Sequence, residues 1–309
     1  METWLVIVLA LVQALTEFLP VSSSGHLGLA GFFLGLPYQG LTFDLALHLG
    51  TLLALIAYFW KDLWRLARAV LAIRSLRELD TLQRMGLGIA LSTIPAAIVG
   101  ASMPDAFTES LRTPVLIAIN LIVFGVLLGL ADRYGGGHRG EGAISYRDAL
   151  LIGAAQALAL IPGTSRSGIT MTAGLALGLD RATAARYSFL MAVPITVLAV
   201  GHGGLQLAQG SEQLDLSVLA LGITVSALAG IVVRNSLLLI DFILEYRKGG
   251  HALHEAVLQA GVVRLRPILL TAFAIILGTL IMIFDPVFGG LAISLIYGTF
   301  ASTVLTLFV

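Results

Sequence analysis

The stretch "QALTEFLPVSSSGHLGLAGFFLGL", residues 13–36, decides the fold. It is apolar enough for a membrane, yet "PVSSSGH" interrupts it with hydroxyls, a glycine and a histidine, and Glu17 stands just ahead. The chain repeats the pattern 143 residues later. "QALALIPGTSRSGITMTAGLALGL", from Gln156, aligns without a gap and is identical at 11 of 24 positions. Apolar bias inflates such a count, but it does not explain the shared Gln, Ser, Ser and Gly. Two broken copies of one hydrophobic segment point to an internal repeat.

The surroundings of both copies are membrane sequence. The chain has 309 residues, is 58% hydrophobic and only 12% charged. Apolar runs of about 18 residues or more recur along it, the length a helix needs to cross a bilayer. The expected fold class is all-α, a polytopic membrane protein. Clear spans are expected at Leu45–Trp60, Met85–Met103, Pro114–Ala131, Tyr187–Leu207, Leu216–Val233, Pro267–Phe284 and Leu291–Val309. The first apolar run, Trp4–Leu19, lacks a basic leader, so no cleaved signal peptide is expected. Net charge is zero, which leaves no electrostatic case for nucleic acid. The absence of cysteine excludes disulfides and thiolate chemistry.

Loop charge orients the spans. Lys61, Arg65, Arg68, Arg74, Arg77 and Arg84 place the segment between the first two clear spans in the cytoplasm. Arg133, Arg139 and Arg147 place the segment Asp132–Arg147 on the same side. The loop Ala208–Asp215 has Glu212 and Asp215 but no Lys or Arg, and belongs outside. The second broken segment must then enter and leave on the cytoplasmic side as a re-entrant helix–loop–helix. Non-helical backbone at that depth is tolerated only when buried in protein or lining a cavity. Three spans separate the copies. An odd number inverts the second, so the first is expected to be re-entrant from outside. The repeat copies cover about 1–131 and 147–229, an inverted-topology repeat whose broken helices meet near the midplane.

The chemistry sits in the two breaks. The first offers Glu17, Ser22, Ser23, Ser24 and His26; the second offers Thr164, Ser165, Arg166, Ser167 and Thr170. Ionisable groups at membrane depth are costly and are functional candidates by default. A guanidinium such as Arg166 matches phosphate or carboxylate oxygens. Hydroxyls and glycine-flanked backbone N–H groups around it, at Gly25, Gly163 and Gly168, can form an anion nest at the helix starts. His26 is the only imidazole in either break and suits a general base, acid or nucleophile. Glu17 can orient it, move a proton, hold a divalent cation or pair with Arg166. His48, in "LALHLGT", reads as a packed, hydrogen-bonded span residue. Asn120 and His202 read as helix–helix polar contacts or interfacial groups, and Asp44 as a residue of the entrance. "GGGHRGEG", from Gly135, reads as a flexible loop.

"QALTEFLPVSSSGH" and "PGTSRSGIT" resemble the two signature motifs of the bacterial undecaprenyl-diphosphate phosphatase family of the bacitracin-resistance type. "FDLALHLGTLLALIAYFW" and "RYSFLMAVP" are similar to that family too, and the likeness covers about residues 1–229. It implies an inverted repeat with two re-entrant helix pairs. It also implies hydrolysis of the terminal phosphate of undecaprenyl diphosphate, which recycles the lipid carrier of peptidoglycan synthesis. The implied site opens to the outer face of the inner membrane. On this chain the acidic residue falls on Glu17, the catalytic hydroxyl on Ser23 and the histidine on His26. The diphosphate clamp falls on Arg166 beside Ser165, Ser167 and Thr170, with Ser22, Ser24, Gly25, Gly163, Thr164 and Gly168 as further substrate-binding positions. Gln13 stands where many members have a second glutamate, and it is no charged ligand. Ser23 and His26 both stay open as nucleophile. Glu17 is a candidate ligand for Mg or Ca, and no organic cofactor is expected. The expected partners are a prenyl diphosphate lipid and the bilayer, with a homodimer left open.

From about Gly230 the likeness changes. "GIVVRNSLLLIDF", "HEAVLQAGVVRLRPILLTAFAIILGTLIMIFDP" and "FGGLAISLIYGTFASTVLTL" resemble the C-terminal membrane helices of resistance–nodulation–division efflux transporters. Residues 230–309 are therefore expected to form a structural tail, joined within "SALAGIVV". The rival functions are a carrier or flippase for an anionic lipid or solute, since broken inverted repeats are typical of carriers, and a fragment of an efflux system.

Overall fold

In a computed structural model of the chain, the described residues are 2–33, 35, 39–75, 77–104, 110–208 and 215–280, with isolated positions between 283 and 303. They form two compact units, Met1–Ile231 and Val232–Val309. The named elements are all helices: α1 Thr3–Phe18, α2 Ser23–Phe33, α3 Leu41–Leu71, α4 Thr81–Ser102, α5 Pro114–Tyr134, α6 Tyr146–Ala157, α7 Arg166–Ala176, α8 Arg181–Ala208, α9 Leu216–Lys248 and α10 Leu253–Leu280.

Five of the described helices are long and apolar enough to cross a membrane: α3, α4, α5, the Arg181–Leu205 part of α8 and the Leu216–Val233 part of α9. They match the first five expected spans. The expected span from Pro267 lies in α10 as far as Leu280. Phe284 and, apart from isolated positions, Leu291–Val309 lie outside the described residues.

Between the long helices lie the two broken segments. The shift of 143 residues carries Ser23–Phe33 onto Arg166–Ala176, the bounds of α7. Each break opens with a serine N-cap. Ser22 Oγ accepts from Gly25 N at 3.2 Å, and Ser165 Oγ from Gly168 N at 3.1 Å. A second hydroxyl follows in each: Ser22 and Ser24 are 3.4 Å apart, Ser165 and Ser167 3.2 Å. Such a cap satisfies an amide that the first helical turn leaves without a partner. The 11 residues of α2 or α7 reach only about 16 Å, too short to cross a core of about 30 Å. α1 packs on α2, α6 packs on α7, and α5 touches both α2 and α7.

The breaks interlock through missing side chains. A Cβ on Gly25 would lie 3.2 Å from Gly163 Cα, and one on Gly168 would lie 3.2 Å from the Pro20 carbonyl oxygen. Gly163 has φ 90°, a left-handed conformation that favours glycine. Asn120 of α5 donates from Nδ2 to Pro162 O at 2.8 Å, fastening the second break to α5.

Charge collects where loop counting put the cytoplasm. α3 runs on past Trp60 to Leu71, with Lys61 over the Trp60 ring and Arg68 over the Trp64 ring, both tryptophans being exposed. Such aromatic–cation pairs suit a membrane–water boundary. Arg186 of α8 meets Asp62 of α3 at 3.3 Å and Glu141 at 3.0 Å. The segment Asp132–Arg147 therefore lies at the same end of the bundle as the basic segment. The tract "GGGHRGEG" is tied down rather than free. Arg139 donates to Leu177 O, Ala143 O and Asp148 Oδ2 at 2.6–2.7 Å, and its backbone pairs with Gly178 and Asp180. Burial works against the charge of Asp148, but the Arg139 and Ser145 hydrogen bonds outweigh it and hold that carboxyl below its ordinary range. Glycine content suggested flexibility; one guanidinium with three acceptors supplies the order.

The core beside the first break is built by Leu5, Val6, Leu9, Leu27, Phe43, Leu47 and Leu219, from α1, α2, α3 and α9. Here α9 lies against α3. Ser226 Oγ donates to Leu47 O at 2.8 Å, and a Cβ on Gly50 would sit 2.4 Å from Ile223 O. α9 continues unbroken through Ser226–Val233, the expected join. In the second unit a turn at Gly249–Gly250 leads into α10, and the Tyr246 ring stacks on His251.

Candidate active site

Glu17 is the centre of the site. It lies in the last turn of α1, and its carboxylate joins the two repeats. Oε1 accepts from Arg166 Nη2 at 2.7 Å; Oε2 accepts from Ser23 Oγ at 2.7 Å. Gln13, one turn earlier on α1, donates from Nε2 to the same Oε2 at 3.2 Å and lies 3.4 Å from Thr51 Oγ1. Ser23 and Arg166 are each the first residue of their helix, so both project where helix N-termini add positive partial charge. Glu17 and Arg166 side chains are only 13% and 18% exposed, so each charge relies on the other.

His48 completes the cluster. Its Nε2 is 3.4 Å from Ser23 Oγ and 3.5 Å from Glu17 Oε2, and its Nδ1 bonds the Asp44 carbonyl at 2.8 Å. As read from the sequence, it is a packed and hydrogen-bonded span residue, but it is packed into the site. Asp44 itself is buried and pairs with Arg112 at 3.2 Å near the start of α3. His26 behaves otherwise. Its Nδ1 bonds the Ser22 carbonyl at 2.8 Å, and it makes no hydrogen bond to Glu17, Ser23 or Arg166.

The remaining hydroxyls divide. Thr170 is buried and bonds Ser188 Oγ at 2.7 Å, while Arg166 Nη1 reaches the Ser188 carbonyl at 3.5 Å. Ser22, Ser165, Ser24 and Ser167 serve the caps described above. Thr164 Oγ1 is buried without a partner among the described residues. Gly25, Gly163 and Gly168 are the points where the two breaks touch.

A small cleft opens on this cluster. Its lining mixes polar Glu17, His48, Thr51, Arg166 and Thr196 with apolar Phe18, Leu52, Leu55, Phe189 and Ala192. Reading the sequence found Glu17 and Arg166 but missed Thr51, Phe189 and Thr196. The signal available for His48 and Thr51 was their spacing: two polar residues three apart on one face of an apolar helix.

Five apolar helices of membrane-spanning length around a carboxylate that joins a guanidinium, a hydroxyl and an imidazole define the class, a polytopic helical membrane protein with a polar cluster in its bundle. The chain's likeness to known proteins narrows that class. Residues 6–248 match the family described as "Bacitracin resistance protein BacA", and the chain belongs to that family. It is 48% identical over 223 residues to the undecaprenyl-diphosphatase of Nitrosococcus oceani, an alignment covering 72% of this chain and 84% of the relative. Undecaprenyl-diphosphatase 2 of Stutzerimonas stutzeri is 48% identical over 227 residues, with 72% and 84% covered. The undecaprenyl-diphosphatase of Teredinibacter turnerae is 46% identical over 227 residues, with 74% and 86% covered.

Proposed function

We infer that this chain is a multi-pass membrane phosphatase of the bacterial inner membrane that hydrolyses undecaprenyl diphosphate to undecaprenyl phosphate and inorganic phosphate. The activity recycles the lipid carrier of cell-wall synthesis and confers bacitracin resistance. The observation that carries the mechanism is the Glu17 carboxylate, 2.7 Å from Ser23 Oγ on one side and 2.7 Å from Arg166 on the other.

Arg166 turns from Glu17 to the diphosphate and neutralises its charge. Ser23 Oγ attacks the terminal phosphorus while its proton passes to the acceptors beside it. The bond from that phosphorus to the bridging oxygen breaks, and the electron pair leaves on the lipid monophosphate. Water then attacks the phosphoserine and passes a proton to a phosphate oxygen, the Oγ–P bond breaks, and phosphate leaves as Ser23 recovers its own proton. Positioning and charge neutralisation supply most of the rate in such transfers. Among the two nucleophiles left open by the sequence, Ser23 is favoured because it hydrogen-bonds Glu17, whereas the His26 ring bonds the Ser22 carbonyl and neither Glu17 nor Arg166.

A divalent cation finds little in the protein alone. Glu17 is a single carboxylate whose oxygens already face Arg166 and Ser23, and the described residues contain no cluster of three His, Cys, Asp or Glu. A Mg or Ca ion would arrive with the diphosphate and take its ligands chiefly from phosphate oxygens.

The breaks are re-entrant in this reading, and the site opens outward. His48 lies only seven residues, about 10 Å, from the start of α3, but about 34 Å from its basic end at Leu71. The cleft is thus nearer the face opposite the cytoplasmic arginines. Residues 230–309 serve as a passive helical tail. The carrier reading is weaker, because binding an anion needs no hydroxyl aligned on a carboxylate. The test is phosphate release from a C55 or C15 prenyl diphosphate by the purified protein, followed by trapping of the phospho-enzyme. Label on Ser23 supports the mechanism. Label on His26, or binding without turnover, rejects it.

A further inference from the structure

We propose that His48 is a catalytic residue: it takes up the proton that Ser23 loses and returns it when water resolves the phosphoserine. The proposal rests on Ser23 being the nucleophile, as inferred above.

The tautomer follows from the contacts. A backbone carbonyl only accepts, so the 2.8 Å contact with the Asp44 carbonyl makes Nδ1 the protonated nitrogen of neutral His48. Nε2 is then a lone pair, and it faces Ser23 Oγ at 3.4 Å and Glu17 Oε2 at 3.5 Å. A nucleophile, a base and a group that fixes the base's tautomer are the parts of an activated hydroxyl.

Glu17 is nearer to Ser23, yet it is a poor place to leave the proton. Its other oxygen faces Arg166 at 2.7 Å, and the carboxylate must be ionised to take the guanidinium back once the phosphate has left. His48 sits beside Ser23 Oγ and Glu17 Oε2 and can carry the proton while Glu17 stays ionised. The charged groups that face it are Glu17 from α1 and Arg166 from α7. α8 contributes Phe189, Ala192 and Thr196 to the cleft wall, none of them charged. The overall step is balanced: the Ser23 O–H bond breaks and His48 Nε2–H forms while the Oγ–P bond forms and the bond to the bridging oxygen breaks; water then bonds the phosphorus and passes a proton to a phosphate oxygen, the Oγ–P bond breaks, and the His48 proton returns to Ser23 Oγ.

The experiment compares His48→Ala, His48→Gln and Ser23→Ala in purified protein, each checked for folding by melting temperature and for affinity toward a C15 prenyl diphosphate. The relay predicts a fall of about 10²–10⁴-fold in kcat for both His48 variants, the range of general acid–base catalysis, with KM within about threefold. It further predicts that free imidazole restores turnover to His48→Ala but not to Ser23→Ala, since the cleft opens where the ring was. Full turnover by His48→Gln, which keeps a hydrogen-bond acceptor but carries no proton, overturns the relay. So does a folded, inactive His48→Ala that imidazole never rescues. If His48→Ala fails to fold, His48→Gln decides alone. Retained activity in Ser23→Ala sinks the nucleophile reading itself, a separate failure from that of His48.

Discussion

Replacing Arg166 by Gln isolates the energetic cost of the site. In the native protein the guanidinium and the Glu17 carboxylate are 2.7 Å apart, with side-chain exposures of 18% and 13%. Arg166→Gln leaves Glu17 ionised in a poorly hydrated setting, with Ser23 and Gln13 as its close neutral partners. Removing one member of a buried pair destabilises by about 3–5 kcal/mol. A unit of this size loses about 2–4 °C of melting temperature per kcal/mol, so a drop of roughly 6–20 °C is expected. Adding Glu17→Gln in the same chain removes the stranded charge and returns about 1–3 kcal/mol as a coupling term. The assay is thermal unfolding in detergent for wild type, both single variants and the double variant. Activity is lost in all three variants, so only stability discriminates. A single variant melting within about 2 °C of wild type, or a double variant whose loss equals the sum of the singles, would refute the pairing.

Gly50→Ala places a methyl 2.4 Å from the Ile223 carbonyl oxygen. It should cost about 1–3 kcal/mol, read as a lower melting temperature, and Gly125→Ala, with open space around it, should not. Asn120→Ala removes the 2.8 Å bond to Pro162 O; a loss of about 1 kcal/mol should come with a reduced kcat, because the second break carries Arg166. Arg139→Ala should leave KM for the lipid unchanged while speeding proteolysis of the 135–143 segment, since one side chain holds three acceptors there.

Much of this architecture is legible in the sequence because the repeat is written twice. The polar breaks are visible as faults in apolar runs, and the shift of 143 residues that aligns them also aligns α2 with α7 and the two serine caps. Charge counting places Asp132–Arg147 beside Lys61–Arg84, and the Arg186 contacts to Asp62 and Glu141 show why. Glu17, Ser23 and Arg166 stand out as polar groups in a segment that cannot afford idle ones. His48 and Thr51 are harder to see. They lie in an unbroken helix, and which way they face depends on how α3 is rotated by its packing on α1, α8 and α9. His26 shows the converse. Its chemistry suits a site, and its Nδ1 bonds the carbonyl four residues back just as that of His48 does, but only the His48 ring reaches Ser23 and Glu17, a placement that residue type alone does not reveal. The order of the 135–143 segment was hidden for the same reason: glycines are visible in sequence, whereas the acceptors of Arg139 are assembled only by the fold.

The central claim is that Glu17 aligns Ser23 for attack on a diphosphate held by Arg166. It is tested most directly by quenching the purified protein during turnover of a prenyl diphosphate labelled on its terminal phosphate and locating the label. The account predicts acid-stable phosphate on Ser23 in the wild type and none in Ser23→Ala or Arg166→Ala. Steady phosphate release by a folded Ser23→Ala protein would contradict it.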